Sequence, residues 1–360
     1  MIAKAGVERL GIDLSEFYVE ELEPMEFIPA PAQGALAIQI RENDEELAEI
    51  LKPLNRPAVV KAIGVERKVL QLFEGGCHMP LGCYCRKEDG QYEVWTSKAE
   101  EGDDFPDRFY ISADSTKGLA EEIVAKFNPD RKFPANIFIS RALPENSYFR
   151  KAMQKHNIQV EDRSLIKIFP IINKLDSYIL KRVDWIFFSS KNGIESFFSL
   201  KPELNKKVKF GVLGRASEEM LRRFGYIPDF NGEEDGIDTV DIAKEFAKIA
   251  NGTTVLFPGA KDSLRTIQQG LNASTKVIDL PVYETEMDEN CSPSAAEVLI
   301  FTSPSNVDAY FANNLLEIGQ QVICIGKSTG KKFDEMNVKY TLPYSPDEIG
   351  LAEAVFGLNY

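Results

Sequence analysis

Six short segments carry the side chains best suited to chemistry: Ser140-Arg141, Ser189-Ser190-Lys191-Asn192-Gly193, Gly214-Arg215-Ala216-Ser217, Pro258-Gly259-Ala260-Lys261-Asp262-Ser263, Thr302-Ser303-Pro304-Ser305-Asn306 and Gly326-Lys327-Ser328-Thr329. They are rich in hydroxyls and small residues, with scattered cations. Each follows a short apolar run and opens an amphipathic stretch, the position of a helix start. There, unpaired backbone N–H groups and the positive end of the helix dipole lie beside the hydroxyls, a combination suited to carboxylates or phosphates. Ser, Thr and Asn are also ordinary N-caps, so one such loop says little. Six, in duplicated surroundings, point to a ligand with several negative charges.

Other chemistries find less support. The chain has only 2 histidines, and His156 sits between Lys155 and Asn157 near an expected helix end, so no Ser/His/Asp or Cys/His constellation can be built. No Gly-x-Gly-x-x-Gly follows a strand, and Gly326-Lys327-Ser328-Thr329 lacks the upstream glycine of a Walker loop. Five cysteines read as free thiols. A zinc site from Cys77, His78, Cys83 and Cys85 lacks the paired spacing of structural zinc modules, and no metal is expected. A net charge of −14 argues against nucleic acid or an anionic membrane surface as a partner. No stretch approaches the roughly 18 apolar residues of a membrane span. Met1 to Leu10 offers no apolar leader, so a cytoplasmic location is expected.

The elements that must hold these loops fall into two grammars. Upstream of a Pro-rich, charged stretch near Lys126 to Ala135, helical patterns at about Glu42 to Leu54, Ala58 to Phe73 and Thr116 to Phe127 flank alternating segments at Gly82 to Cys85, Tyr92 to Ser97 and Arg108 to Ile111. This is the pattern of a small α+β unit with an antiparallel sheet. Downstream, a short apolar strand, a polar loop and an amphipathic helix recur six times, with strands at Ile137 to Ile139, Trp185 to Phe188, Phe210 to Leu213, Val255 to Phe257, Val298 to Phe301 and Val322 to Ile325. The pattern is duplicated: Val183 to Phe198 matches Ala296 to Phe311, with Phe188 and Phe301 equivalent 113 residues apart, and Gly214 corresponds to Gly326 at 112. The expected architecture is α/β, two similar doubly wound parallel-sheet lobes facing one another across a cleft. Ligands of such sheets bind at the carboxyl ends of strands, where these loops fall.

From about Ala135 to Tyr360 the chain resembles the uroporphyrinogen-III synthase family. The resemblance is carried, in family order, by Ile137-Phe138-Ile139-Ser140-Arg141, Phe187 to Gly193, Gly214 to Ser217, Leu256 to Lys261, Val282-Tyr283-Glu284-Thr285, Phe301 to Ser305 and Gly326 to Thr329. It implies two lobes joined by a two-stranded ladder, with the chain crossing near Leu165 to Pro170 and returning near Tyr283 to Asp288. The implied domains are 136–167 plus 287–360 for the first lobe and 168–286 for the second. It also implies a substrate, hydroxymethylbilane, whose eight carboxylates suit a donor-lined cleft; loss of its terminal hydroxyl and ring closure with inversion of the last pyrrole; and no required cofactor. The expected carboxylate-binding set is Arg141, Ser189, Ser190, Lys191, Ser217, Lys261, Ser263, Thr302, Ser303, Ser305, Ser328 and Thr329. Ser217 stands where the family commonly has Thr. The matching tyrosine, Tyr283, is assigned the acid role; a phenol, with an ordinary pKa of about 10, can donate at neutral pH without ionising first.

Residues 1–128 resemble the C-terminal part of hydroxymethylbilane synthase (porphobilinogen deaminase). Ala5 to Gly11, Pro29 to Ile38, Glu66-Arg67 and Glu74 to Gly82 carry that match, with 129–135 as the linker to the synthase-like part. In that family the cysteine matching Cys77 holds a dipyrromethane. Only about the last third of such an enzyme is represented, without the catalytic aspartate and most of the arginines, so Cys77 is expected to carry no dipyrromethane and the chain no deaminase activity. Three readings stand: a synthase fused to a truncated deaminase module, a noncatalytic tetrapyrrole-binding protein that docks a separate hydroxymethylbilane synthase, or a fragment of a longer bifunctional protein.

Overall fold

A computed structural model describes residues 2–17, 19–76, 78–101, 105–171, 177–232, 239–288 and 291–358. Two short helices, α1 (Lys4–Leu10) and α2 (Glu45–Leu51), precede α3 (Pro57–Leu72), which begins at a proline preset for helical φ. An antiparallel sheet follows, in the order β1 (Leu81–Glu88), β2 (Gln91–Lys98), β3 (Asp107–Ala113). Asp89 and Gly90, both at positive φ, turn β1 into β2, the Asp-Gly signal of a tight hairpin. Alternation along these strands buries Cys83, Cys85, Val94, Phe109 and Ile111 under α3 and α4 (Leu119–Ala125).

The remaining elements, in chain order, are β4 (Asn136–Ile139), α5 (Tyr148–Lys155), β5 (Gln159–Asp162), β6 (Ile166–Pro170), α6 (Ser177–Leu180), β7 (Trp185–Phe188), α7 (Lys191–Ser199), β8 (Lys209–Val212), α8 (Arg215–Arg223), β9 (Phe230–Asn231), α9 (Thr239–Ile249), β10 (Thr254–Ala260), α10 (Thr266–Gln269), β11 (Lys276–Met287), β12 (Val298–Phe301), α11 (Pro304–Phe311), β13 (Gln321–Cys324), α12 (Lys327–Glu335) and α13 (Glu348–Gly357). All six expected strands form, in two separate sheets. One runs β13-β12-β4-β5, wholly parallel; the other runs β6-β11-β10-β7-β8-β9, parallel except where β11 meets β6. The duplication is visible in the order: β5-β4-β12-β13 repeats as β11-β10-β7-β8, and an isolated bridge from Ile323 to Thr341 stands where β9 stands in the other sheet. The fully apolar runs of β7 and β12 are buried along their whole length, as parallel strands covered on both faces must be. The two-stranded ladder is β6 against β11, Ile166–Pro170 opposite Tyr283–Met287.

The chain divides into two compact units. The first comprises Met1–Arg163, Ser294–Pro304 and Leu316–Tyr360; the second comprises Ser164–Pro293 and Ser305–Leu315. The first unit thus holds both the antiparallel sheet and the four-stranded parallel sheet, and one apolar core runs through it from Val65 to Leu358. The joint is α13. Its sequence, Glu-Ile-Gly-Leu-Ala-Glu-Ala-Val-Phe-Gly, is apolar nearly all round, the mark of a helix covered on every side, and α13 packs against β3, α5 and β13. Phe356 sits against Phe109, Phe133 and His156. Arg131, within the 129–135 segment, donates to the carbonyls of Phe356 and Leu358.

Glu353 of α13 is buried and accepts a hydrogen bond from Arg108 Nε of β3 at 3.0 Å. The rest of that guanidinium donates to the carbonyls of Met25 and Glu26. One arginine therefore ties β3, the α13 helix and the N-terminal segment together. Burial, reinforced by Asp347 and only partly offset by Arg108, pushes the Glu353 carboxyl up to about 7. A carboxyl raised above its unfolded value adds stability that is complete below about pH 4.5 and lost as pH rises through about 7. Chemical denaturation should show the first unit losing stability between pH 5 and pH 8, with Glu353→Gln removing that component. Arg108→Ala at pH 8 strands the carboxylate and should cost about 3–5 kcal/mol.

Candidate functional site

In the second unit the strand order β11-β10-β7-β8 sets four carboxyl-end segments side by side. Ser190 follows β7 in extended conformation and caps α7: its Oγ accepts from Gly193 N–H at 3.1 Å. That cap leaves the N–H groups of Lys191 and Asn192 without intrahelical partners. Gly193 is required by packing, since a Cβ there would lie 2.9 Å from the Pro258 carbonyl oxygen. The close approach lays the first turn of α7 against the end of β10.

Tyr283 lies where β11 changes partners. Up to Pro281 it runs parallel to β10; at the irregularity between Gly259 and Ala260 the register slips, so that Ala260 pairs with Tyr283, which also faces Pro170 across the antiparallel ladder. Lys261 N–H donates to the Tyr283 carbonyl at 2.9 Å. The Tyr283 ring is buried, and its Oη lies 3.1 Å from Ser190 Oγ. Because Ser190 Oγ already accepts from Gly193, its own proton remains available to the phenol oxygen, or it can accept from the phenol through its other lone pair. The pair links the end of β7 to that of β11.

Of the other expected residues, Ser189 and Lys191 are exposed, whereas Ser217 is buried in the first turn of α8. Lys261 is exposed and paired with Glu284 at 3.1 Å, a contact that raises its pKa. Exposed Ser263 accepts from Arg265 N–H at 3.3 Å. Ser305, in the first turn of α11, belongs to the same unit and is half-buried.

The first unit gathers the other expected residues at the ends of β4, β12 and β13. Thr302 is held by Ser140: Thr302 N–H donates to Ser140 Oγ at 2.9 Å, and Thr302 Oγ1 donates to the Ser140 carbonyl at 3.2 Å. Ser303 is half-buried, Ser328 exposed, and Thr329 buried with its hydroxyl unpartnered among the described residues. Arg141 forms an ion pair with Glu348 at 3.1 Å; burial lowers its pKa, with Glu348 and Asp347 opposing. Glu348 also accepts from Ser147 Oγ and Phe149 N–H.

Sequence reasoning passed over Ser140, Gly193, Glu284 and Glu348. Ser140, Gly193 and Glu284 stood inside quoted motifs and could have been found there; Glu348 carries no local signal. Cys77 lies outside the described residues. Its described neighbours in the loop, Phe73 to Gly76 and His78 to Pro80, include one acid, Glu74, and no Lys or Arg, while the Lys98 ammonium lies over the Phe73 ring, 5.6 Å from its centroid. Cys83 and Cys85 on β1 are buried thiols that burial pushes up to about 12. No group of three or more potential metal ligands occurs among the described residues, and no helix among them is long and apolar enough to cross a membrane.

A family model described as uroporphyrinogen-III synthase HemD matches residues 147–353, more than half of the chain. The chain belongs to the uroporphyrinogen-III synthase family. A second model, the dipyromethane cofactor binding domain of porphobilinogen deaminase, matches residues 1–49, so a deaminase piece is fused to the synthase. Curated porphobilinogen deaminases are similar over this part. That of Fusobacterium nucleatum subsp. nucleatum is 39% identical over 132 residues, 35% of this chain and 43% of that protein. That of Oceanobacillus iheyensis is 39% identical over 126 residues, 35% of this chain and 39% of that protein. The chain thus spans about two fifths of the length of these relatives. Among solved structures, uroporphyrinogen-III synthetase from Helicobacter pylori superposes with a TM-score of 0.46 at 16% identity, covering 62% of this chain and 99% of that one. A mutant uroporphyrinogen III synthase from Thermus thermophilus gives 0.42 at 13% identity, covering 58% and 91%.

The close approach at Gly193 makes a stability prediction. Gly193→Ala should cost about 1–3 kcal/mol through overpacking against Pro258, and Ser190→Ala, losing both the cap and the hydrogen bond with the buried Tyr283 phenol, should cost about 1.5–2.5 kcal/mol. Denaturant titration of both variants checks these costs.

Proposed function

We propose that this chain converts hydroxymethylbilane to uroporphyrinogen III in haem biosynthesis, acting in the cytoplasm without metal or cofactor. Membership of the synthase family supplies the reaction. The observation that carries the residue assignment is the Tyr283–Ser190 hydroxyl pair at the strand ends of the second unit. In this reading the C–O bond of the terminal hydroxymethyl group breaks, the pyrrole nitrogen lone pair supplies the electrons that follow, and the oxygen leaves as water with the Tyr283 proton. Ser190 then turns its own proton toward the phenolate oxygen and stabilises it. The last pyrrole attacks the electron-poor methylene so formed through its already substituted α-carbon, giving a spiro intermediate; the bond from that carbon to its original bridging methylene then breaks, the methylene re-bonds at the ring's free α-carbon, and the proton lost from that carbon restores the Tyr283 phenol.

Substrate carboxylates are held by the donors already named: hydroxyls of Ser189, Ser190, Ser217, Ser263, Thr302, Ser303, Ser305, Ser328 and Thr329 and nearby backbone N–H groups, with Arg141, Lys191 and Lys261. The proposed division keeps 1–128 as the deaminase-like module, 129–135 as its link, 136–167 with 287–360 as one lobe and 168–286 as the other. Deaminase activity is not proposed, because the chain spans only about two fifths of the deaminases it matches.

The test is the isomer formed from hydroxymethylbilane. Unaided bilane closes to the symmetric type I product, so type III product is expected from this chain, and type I alone would return it to a noncatalytic binding role. Tyr283→Phe should lower turnover about 10²-fold or more with the fold intact. Ser→Ala at any one outlying hydroxyl, such as Ser263 or Ser328, should weaken binding by only about 0.5–1.5 kcal/mol, read from KM.

A further inference from the structure

The loops after β4 and β10, strands that hold the same place in the repeated order, each carry a cation that meets a carboxylate brought from another element. Arg141 meets Glu348 of α13 and Lys261 meets Glu284 of β11, both at 3.1 Å. The partners come from unlike elements, a helix and a strand, so what repeats is the answered charge. The two pairs differ in their access to water. The Lys261 and Glu284 side chains are 59% and 38% exposed, so solvent and salt leave little of that interaction. Those of Arg141 and Glu348 are 30% and 26% exposed, and this is the pair whose charge balance an incoming anion feels.

Glu348 is held in place on its other side as well. Its Oε1 accepts from Arg141 Nη2, while its Oε2 accepts from Ser147 Oγ at 2.7 Å and from Phe149 N–H at 3.1 Å, so the carboxylate cannot swing away from the guanidinium without stranding donors at the start of α5. Asp347, which caps α13 by accepting from Gly350 N–H at 2.7 Å, adds a second negative charge that acts on Arg141. Two carboxylates thus face one guanidinium. The other nitrogens of Arg141 have no partner among the described residues, so it can still meet a substrate carboxylate, but as part of a locally negative group. An arginine placed for the tightest grip would stand free of such partners.

We propose that Glu348 is a positioning residue that fixes the Arg141 guanidinium and limits its hold on the carboxylates of substrate and product alike, so that the product can leave. The proposal rests on the reading of the chain as a synthase acting on hydroxymethylbilane. Ring closure leaves the carboxylates of that substrate intact, so a stronger grip on them stabilises both bound states equally. Such uniform binding adds nothing to the rate once the site is filled, and it slows release.

The experiment compares Glu348→Gln with Glu348→Ala in the full chain. Gln keeps an oxygen for Ser147 and Phe149 and removes the charge; Ala removes both. Equilibrium binding of uroporphyrinogen III, measured without oxygen, needs no turnover, and KM and kcat for type III product are read beside it. Glu348→Gln should bind uroporphyrinogen III about three- to fivefold more tightly and lower KM without raising kcat, with an unfolding midpoint near that of the parent. Glu348→Ala, which strands the start of α5, should lower that midpoint. Asp347→Asn keeps a capping oxygen and should tighten binding by a smaller factor. In an Arg141→Gln background, Glu348→Gln should change binding by less than about twofold, a coupling that a purely structural Glu348 would not show. The proposal is overturned if Glu348→Gln and Asp347→Asn weaken product binding or leave it unchanged, if the gain persists without Arg141, or if neither parent nor variants bind uroporphyrinogen III. Failure of the parent to form type III product would sink the synthase reading instead, and the binding measurement would still decide the role of Glu348.

Discussion

The placement of the Tyr283–Ser190 hydroxyl pair depends on a strand that serves two neighbours at once. β11 is 12 residues long; its first part must satisfy β10 in parallel and its last part β6 in antiparallel. The two hydrogen-bond patterns differ in spacing and slant, so the change from one to the other concentrates irregularity at one place, Gly259/Ala260 against Pro281 to Tyr283. Tyr283 is held there from both sides of its backbone, with Lys261 N–H on its carbonyl, and its phenol lies within reach of the N-cap of α7. So many constraints fix the position of the phenol, which is what the proposed proton donor needs if its distance to a leaving oxygen is to be kept.

Much of this was legible because parallel α/β folds write themselves in short apolar runs. Trp185 to Phe188 and Val298 to Phe301 form as strands with the expected bounds, and the offsets of 113 and 112 residues reappear as repeated strand order. The polar loops fall at the carboxyl ends because strand, loop and helix alternate with one chirality. The ladder was legible only through the family resemblance, since β6 reads Ile-Lys-Ile-Phe-Pro, five residues with no distinguishing period.

The rest was illegible for one physical reason: it depends on partners far away in the chain. Arg108 meets Glu353 across 245 residues and Arg141 meets Glu348 across 207. Nothing local to Arg141 shows that its charge is already answered. The apolar girth of α13 does show that it is covered on all sides, yet not that the deaminase-like sheet does the covering. Once the sheet is in place, the stretch 129–135 loses the independence its prolines suggest: Arg131 is fastened to the end of α13.

That answered charge bears on how a polycarboxylate would be held. Of the cations expected to grip it, Arg141 is paired with Glu348 and Lys261 with Glu284. A guanidinium with a carboxylate at 3.1 Å offers an incoming anion less net attraction than a free one, since its partner repels what it attracts. In this reading affinity falls to neutral donors, the hydroxyls and helix-start N–H groups. Each contributes only about 0.5–1.5 kcal/mol net, and their count rather than any one of them sets the binding. Such a site suits a ligand that enters as a flexible chain and leaves as a ring with the same carboxylates. Strong fixed ion pairs would hold substrate and product alike and slow release, whereas many weak donors can be exchanged one at a time as the charges change position.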